Sequence, residues 1–163
     1  MWLMGLTEEA WYPHDGERAG DPLPPRLRRS VPAGDLNLLE SGLSMTLEDL
    51  VQLLHGNVLT AESDLSQEVK GGCGADLMSD VLASIQPEAV LLTGLCGPQV
   101  VRTAQMADVA AIVIVRGKKP PQETIALAQQ EGIPLISTRY GMFEACGRLY
   151  AAGLPSLETT VTG

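Results

Sequence analysis

The sequence predicts an α/β protein, a three-layer α/β/α arrangement around a mostly parallel sheet of about five strands, with an irregular N-terminal extension ahead of it. Three observations carry this. Apolar runs at 89–92, 110–115 and 133–136 are short enough to be strands, begin 21 and 23 residues apart, and are each followed by a loop and an amphipathic stretch. Crossovers of that length force neighbouring strands to be parallel, and the right-handed rule then lays helices over the sheet. The residues are 45% hydrophobic but only 4% aromatic, so Val, Ile, Leu, Ala and Met must fill the core, a palette suited to buried parallel strands. A chain of 163 residues supplies one such core and not two.

Residues 1–44 come first. Pro13, Pro22, Pro24, Pro25 and Pro32 lie there among Gly, Arg and Asp with no helical or strand period, so this stretch reads as a flexible extension. The folded domain is expected to span 45–154, with Met45 as its fresh start and 155–163 as a C-terminal tail. Thr46 and Asp49 have the spacing of a capping box, and Leu47, Leu50, Val51 and Leu54 follow the helical i, i+3, i+4, i+7 rule. Gly56 is expected to end that helix, with His55 beside it complementing the helix dipole. Short strands are expected at 57–60 and 68–70, the second leading into a glycine loop at 71–76. Asp76 then opens a helix with Leu77, Val81 and Ile85 on its apolar face, closed by Pro87. In the repeats that follow, Pro98 and Pro120 or Pro121 stand where a helix start does not need an amide hydrogen. Gly132-Ile133 and Gly153-Leu154 carry the glycine-then-hydrophobe signature of a Schellman end.

Composition also excludes partners. A net charge of −9 repels phosphate backbones, so no nucleic acid is expected. The longest apolar run, 109–115, falls far short of the roughly 20 residues that span a bilayer, so no membrane is expected either. Met1-Trp2-Leu3-Met4 has no basic start and meets Glu8 and Glu9 early, which is no export signal; the chain reads as cytoplasmic. Cys73, Cys96 and Cys146 are an odd set without a C-x-x-C pair, which argues for reduced thiols and against a structural zinc.

In a parallel sheet the loops at the carboxyl ends of the strands hold the ligands, because helix N-termini point their free amides there. These loops are 71–76, 93–98, 116–120 and 137–141, and they gather the glycines, the hydroxyls and four of the seven cations that follow Met45. The entering loops, 86–88 and 130–132, are chemically plain. A positive rim on an acidic domain points to an anionic ligand, with Gly72, Gly74, Asp76, Thr93, Gly94, Gly97, Arg116, Gly117, Lys118, Ser137 and Thr138 as the candidate binding residues. Loops collect charge in any protein, and Asp76 suits the cap of its own helix better than a ribose hydroxyl or a base amine.

Gly74-Ala75-Asp76-Leu77-Met78-Ser79, Leu92-Thr93-Gly94, Ile114-Val115-Arg116-Gly117, Gly132-Ile133-Pro134-Leu135-Ile136-Ser137-Thr138 and Phe143-Glu144 occur in the order in which they occur in the DRTGG domain, and the stretch from Met45 to about Leu154 resembles that family. In the segment that names the family Thr93-Gly94 is kept, while Leu95-Cys96-Gly97 stands where an acidic and a basic residue are common. The resemblance implies a fold similar to the N-terminal domain of HPr kinase/phosphorylase. It also implies a regulatory, dimer-forming, adenine-nucleotide-responsive unit like those that accompany nucleotide-sensing domains in inorganic pyrophosphatases or stand beside acetyl-transfer and amide-forming domains. It does not imply catalysis.

The residues themselves agree that this is no enzyme. Gly117-Lys118-Lys119 is followed by Pro120, which lacks the hydroxyl and the amide a phosphate-cradling P-loop needs, and Leu77 occupies the last glycine position of a dinucleotide fingerprint. His14 lies in the extension and His55 at a helix end, so neither is placed for acid-base work. Cys73 and Cys96 read as small loop cysteines, Cys146 as core together with Phe143 and Tyr150, and Met78, Met106 and Met142 as packing. No cofactor or metal is expected beyond a regulatory adenine nucleotide. Two functions fit: a sensor of a small anionic metabolite, or a ligand-free dimeric adaptor that docks on a partner enzyme, with the extension as its tether.

Overall fold

The computed structural model describes residues 44–159; the expected extension lies outside them, but for Ser44. The chain opens with β1 (Met45–Thr46), whose second residue caps α1 (Leu47–Leu53) in the expected box: the Asp49 amide donates to Thr46 Oγ1 at 3.3 Å and the Thr46 amide to Asp49 Oδ2 at 3.1 Å. The left-handed residue at the end of α1 is His55 (φ 46°), not Gly56. His55 and Gly56 make the paired Schellman bonds to the carbonyls of Gln52 and Val51. Gly56 is needed for a different reason, since a Cβ there would come within 2.8 Å of Ile136 Cγ2.

Next come β2 (Asn57–Val58) and β3 (Glu68–Val69), the latter pairing antiparallel with β1 in a separate two-stranded ribbon. The main sheet follows with β4 (Gly71–Gly74), α2 (Met78–Ser84), β5 (Ala89–Thr93), α3 (Pro98–Met106), β6 (Ala111–Ile114), α4 (Gln122–Gln130), β7 (Leu135–Ser137) and α5 (Met142–Ala151). Its order is β2-β7-β6-β5-β4, parallel except for the antiparallel pairing of β2 on β7. The four parallel strands add in one direction. Right-handed crossovers therefore put all three linking helices on one face. There Val81, Ile85, Val100, Val101, Ala104 and Ala128 pack on Leu91, Ile112, Ile114 and Leu135. Helices α1 and α5 cover the other face through Leu47, Leu50, Leu54, Ala145 and Leu149, which meet Val90, Leu92, Val113 and Ile136. The three-layer α/β/α reading is correct.

One expectation fails here. Residues 71–74 are a strand and not part of a loop, and their register is Gly71 to Ala89 through Gly74 to Leu92. A run of Gly-Gly-Cys-Gly has little strand propensity. It forms an edge strand because the sheet neighbour and the C-terminal segment fix it from both sides: the Gly72 amide donates to the Pro155 carbonyl, and the Leu157 amide donates back to Gly72. Gly71 is glycine because a Cβ would sit 2.7 Å from both the Pro155 carbonyl oxygen and Leu157 Cγ. Residues 155–159 thus continue along β4 and the end of α2, where Thr159 bonds to Ser84.

Three smaller expectations also fail. Leu77 is 60% exposed and merely precedes α2, leaving Val81 and Ile85 as the buried face. Phe143 and Tyr150 are not core: they are 94% and 72% exposed, because Ala145 and Leu149 already occupy the side of α5 that faces the sheet. Met106, expected as packing, is 74% exposed at the last turn of α3. Among the described residues no helix is long and apolar enough to cross a membrane.

Candidate functional site

The four parallel strands end side by side, so the segments leaving them share one rim. Its centre is Asp76, just beyond β4. The expected role, capping its own helix, is not the one it plays; Asp76 reaches across to the neighbouring strand. The Gly94 amide donates to Asp76 Oδ1 at 2.6 Å and the Thr93 hydroxyl donates to the same oxygen at 3.0 Å. The reason is register: Gly74 is level with Leu92, so two residues further along each strand put the Asp76 carboxylate opposite the turn at Gly94. The Gly94 amide, first of all, holds the Asp76 pKa below the ordinary carboxylate value; the Thr93 hydroxyl and the charges of Arg116 and Lys118 add to this, against burial.

Two cations converge on the same turn from β6. Lys118 Nζ donates to the Gly94 carbonyl at 2.7 Å, and Arg116 Nη1 lies 4.0 Å from Asp76 Oδ2. A side chain at Gly94 would crowd these groups, since an added Cβ would stand 3.1 Å from Arg116 Nη1 and 3.4 Å from both Asp76 oxygens. Arg116 adopts the left-handed conformation (φ 65°), which a non-glycine residue avoids, and Gly117 (φ 62°) continues it. The pair is pinned by amide donation from Arg116 to the Tyr140 carbonyl at 2.7 Å and from Gly117 to the Thr138 carbonyl at 2.8 Å. Lys119 and Arg139 are exposed beside them.

The structure therefore brings Asp76, Thr93, Gly94, Arg116, Gly117 and Lys118 together. Gly97 joins them as the residue before α3, a helix with no side-chain cap. The other candidates serve different ends. Gly72 lies within β4, bonded to the C-terminal segment. Gly74 faces α5, where a Cβ would meet Cys146 Sγ at 2.9 Å. Ser137 is a strand residue opposite Asn57. Thr138 is buried, and its hydroxyl donates to the Leu54 carbonyl at 2.6 Å. Of the loop cysteines, Cys73 is buried inside β4, its thiol pushed up to about 12 chiefly by burial. Cys96 sits in the loop after β5, where burial raises its pKa against the pull of Lys118.

Sequence reasoning missed a groove of about 380 Å³ beside the rim, between β4, α5 and the C-terminal segment. Cys73, Cys146, Leu92, Leu149 and Leu154 line it, Phe143 and Tyr150 flank it, and Ser156 and Glu158 give it one polar edge. The signal was present in the spacing of Phe143, Cys146, Gly147 and Tyr150, an i, i+3, i+4, i+7 stripe separate from Ala145 and Leu149. A helix apolar on both sides has a second face to cover.

With the geometry in hand, similarity to known proteins is informative. The family model described as "DRTGG domain" matches residues 49–152, well over half of the chain, and the protein belongs to that family. Among solved structures, a crystal structure of the CBS and DRTGG domains of the regulatory region of Clostridium perfringens pyrophosphatase, complexed with the activator diadenosine tetraphosphate, aligns with a TM-score of 0.52. Sequence identity is 18%, so the likeness is one of fold. The alignment covers 72% of this chain and 51% of that one, so this chain spans about half of that structure. No curated protein matches.

Proposed function

We propose that this DRTGG domain is a non-catalytic regulatory module that senses a small anionic metabolite, an adenine nucleotide, on the rim formed by Asp76, Thr93, Gly94, Gly97, Arg116, Gly117 and Lys118. The observation that carries the reading is the convergence of Arg116 and Lys118 on the Gly94 turn. Arg116 is one of five non-glycine residues with positive φ among the described residues, and its turn is held by the backbone bonds to Tyr140 and Thr138. Its ion pair with Asp76 adds little, because both side chains are more than 40% exposed and such pairs contribute about 0–1 kcal/mol. The conformation aims a guanidinium at Gly94 beside Lys118, where phosphate oxygens would find two cations and the open amides ahead of α3. Asp76, kept ionised, holds the Gly94 turn and can accept from a ribose hydroxyl or a base amine. The similar clostridial structure supports the class, since it is a regulatory region complexed with an adenine-containing activator. The rim segments contain no histidine, and their one carboxylate is engaged by the Gly94 amide and the Thr93 hydroxyl, which favours a holding role for it over acid-base work.

The test is a thermal-shift screen of the full chain with AMP, ADP, ATP and dinucleoside polyphosphates. Ligand at 100 times its Kd stabilises by about 2.7 kcal/mol, a shift of several degrees for a domain of this size. Arg116→Ala and Lys118→Ala should abolish the shift. No stabilisation by any of these compounds at millimolar concentration ends the proposal.

A second reading is the ligand-free dimeric adaptor that regulates a partner enzyme. What favours it is the exposed apolar face of α5 at Phe143 and Tyr150. It requires a dimer in sedimentation equilibrium that Phe143→Ala dissociates; a monomer at all concentrations removes it. Either way the reading places the protein in the cytoplasm, where free nucleotides and partner enzymes are found.

A further inference from the structure

We infer that the groove between β4, α5 and the C-terminal segment is the docking site of this chain's own residues 2–6, with Trp2 as the anchor. The groove is largely apolar: two large aromatic side chains flank it with 94% and 72% of their surface exposed, over a floor of Leu92, Leu149, Leu154 and Cys146. Its volume of about 380 Å³ suits one indole with a neighbouring aliphatic side chain. The described domain contains no tryptophan. Both tryptophans of the protein, Trp2 and Trp11, stand in residues 1–43.

Three arguments select residues 2–6. The first is charge. The one charged residue lining the groove is Glu158, and Trp2-Leu3-Met4-Gly5-Leu6 carries no charge, whereas Trp11 lies between Glu8-Glu9 and Asp15 and would bring like charges towards it. Glu158 and Ser156 instead offer acceptors at the groove's edge for an indole N–H, which needs one when its ring is buried. The second is position. Met45 belongs to the same buried cluster as Leu92, Leu149 and Leu154, so the chain enters the domain on the groove's face of the sheet. The 38 residues from 7 to 44 can span up to about 125 Å, far more than the domain requires. The third is shape and concentration. A concave slot receives an inserted side chain better than the convex face of a second α5, and a tethered segment acts at an effective concentration in the millimolar range, which a free copy of the protein does not reach.

This assignment and the dimeric adaptor compete for the same face, and one experiment separates them. In the full chain, Trp11→Phe leaves Trp2 as the sole indole, and Trp2→Phe leaves Trp11. Trp2 emission should be blue-shifted and several-fold less quenched by acrylamide than Trp11 emission, independent of protein concentration. Adding Phe143→Ala and Tyr150→Ala should make Trp2 as accessible as Trp11. Both side chains are exposed, so far-UV circular dichroism should be unchanged. Gly147→Gln gives a second blocker that leaves the core alone: Gly147 borders the groove, and an added Cβ meets nothing within 4 Å. It too should expose Trp2. An accessible Trp2, a shielded Trp11, shielding that persists in the groove variants, or shielding that disappears on dilution each overturns the inference, the last in favour of a second copy.

Discussion

The five helices of the described domain begin in two different ways. Helix α1, which precedes the parallel strands, starts at a closed capping box in which Thr46 and Asp49 satisfy each other's amides. Helices α2, α3, α4 and α5, which follow the parallel strands, start at Leu77, Gly97, Pro121 and Gly141, and none has a side-chain cap. Removing a good cap typically costs 0.5–2 kcal/mol, about 1 in most cases, so four open starts are a real expense for one domain. The difference separates a helix start closed by its own side chains from starts that are not. At α1 the sequence closes the helix; along the rim it supplies Gly, Pro, Arg116 and Lys118 and leaves the first-turn amides without a side-chain cap, which is what the proposed anion site would use.

The closed side can be broken first. Gly71→Ala should have the largest effect, a loss of about 1–3 kcal/mol by chemical denaturation, because the new methyl group meets the Pro155 backbone carbonyl, which cannot move aside like a side chain. A neutral result would mean that the C-terminal segment is not held against β4. Thr46→Ala should cost about 1 kcal/mol by removing half of the capping box, with no change in any nucleotide response.

The rim side makes the opposite predictions. The pKa of Asp76 is lowered in the folded state, so its contribution to stability is present above the ordinary carboxylate pKa of about 4 and is lost as pH falls through the folded value. Asp76→Asn should therefore lose that contribution at pH 7, and its stability curve should be flatter below about pH 4, where the two proteins converge as the native carboxylate is protonated. Urea titrations at several pH values check this. The smallest effect on stability is expected from Gly141→Asp. An added Cβ there meets nothing, and the carboxylate gives α5 the cap it lacks, for a gain of a few tenths of a kcal/mol. The same change puts a negative charge on the rim, so it should weaken any nucleotide-induced shift while raising the melting temperature. A stronger nucleotide response in that variant would reverse the reading of the rim as an anion site.

What the sequence made legible follows the same divide. Periodicity announced β5, β6, β7 and the helices after them, since buried parallel strands are apolar throughout and their spacing leaves little freedom. The capping box and the Schellman ends at Gly132 and Gly153 were equally plain, because each rests on contacts within a few residues. The strand at 71–74 was hidden. Its glycines answer to Pro155, Leu157 and Cys146, more than 70 residues away, and no local pattern reports on such neighbours. The rim's membership was half visible for a related reason: loop chemistry marked Asp76, Arg116 and Lys118, but only register showed that Asp76 bonds across to Gly94 instead of capping α2, and that Thr138 spends its hydroxyl on Leu54. The outer stripe of α5 could have been read from its spacing, had a 10-residue helix with two apolar sides been taken as a sign of two neighbours.

Amide hydrogen exchange of the full chain, with and without a saturating adenine nucleotide, tests the central claim most directly. The account predicts slower exchange at 94–99, 116–118 and 122–124, the amides around Gly94, Arg116 and the open helix starts, with the capped start of α1 unchanged. Protection confined to 143–158, or none anywhere, would contradict it.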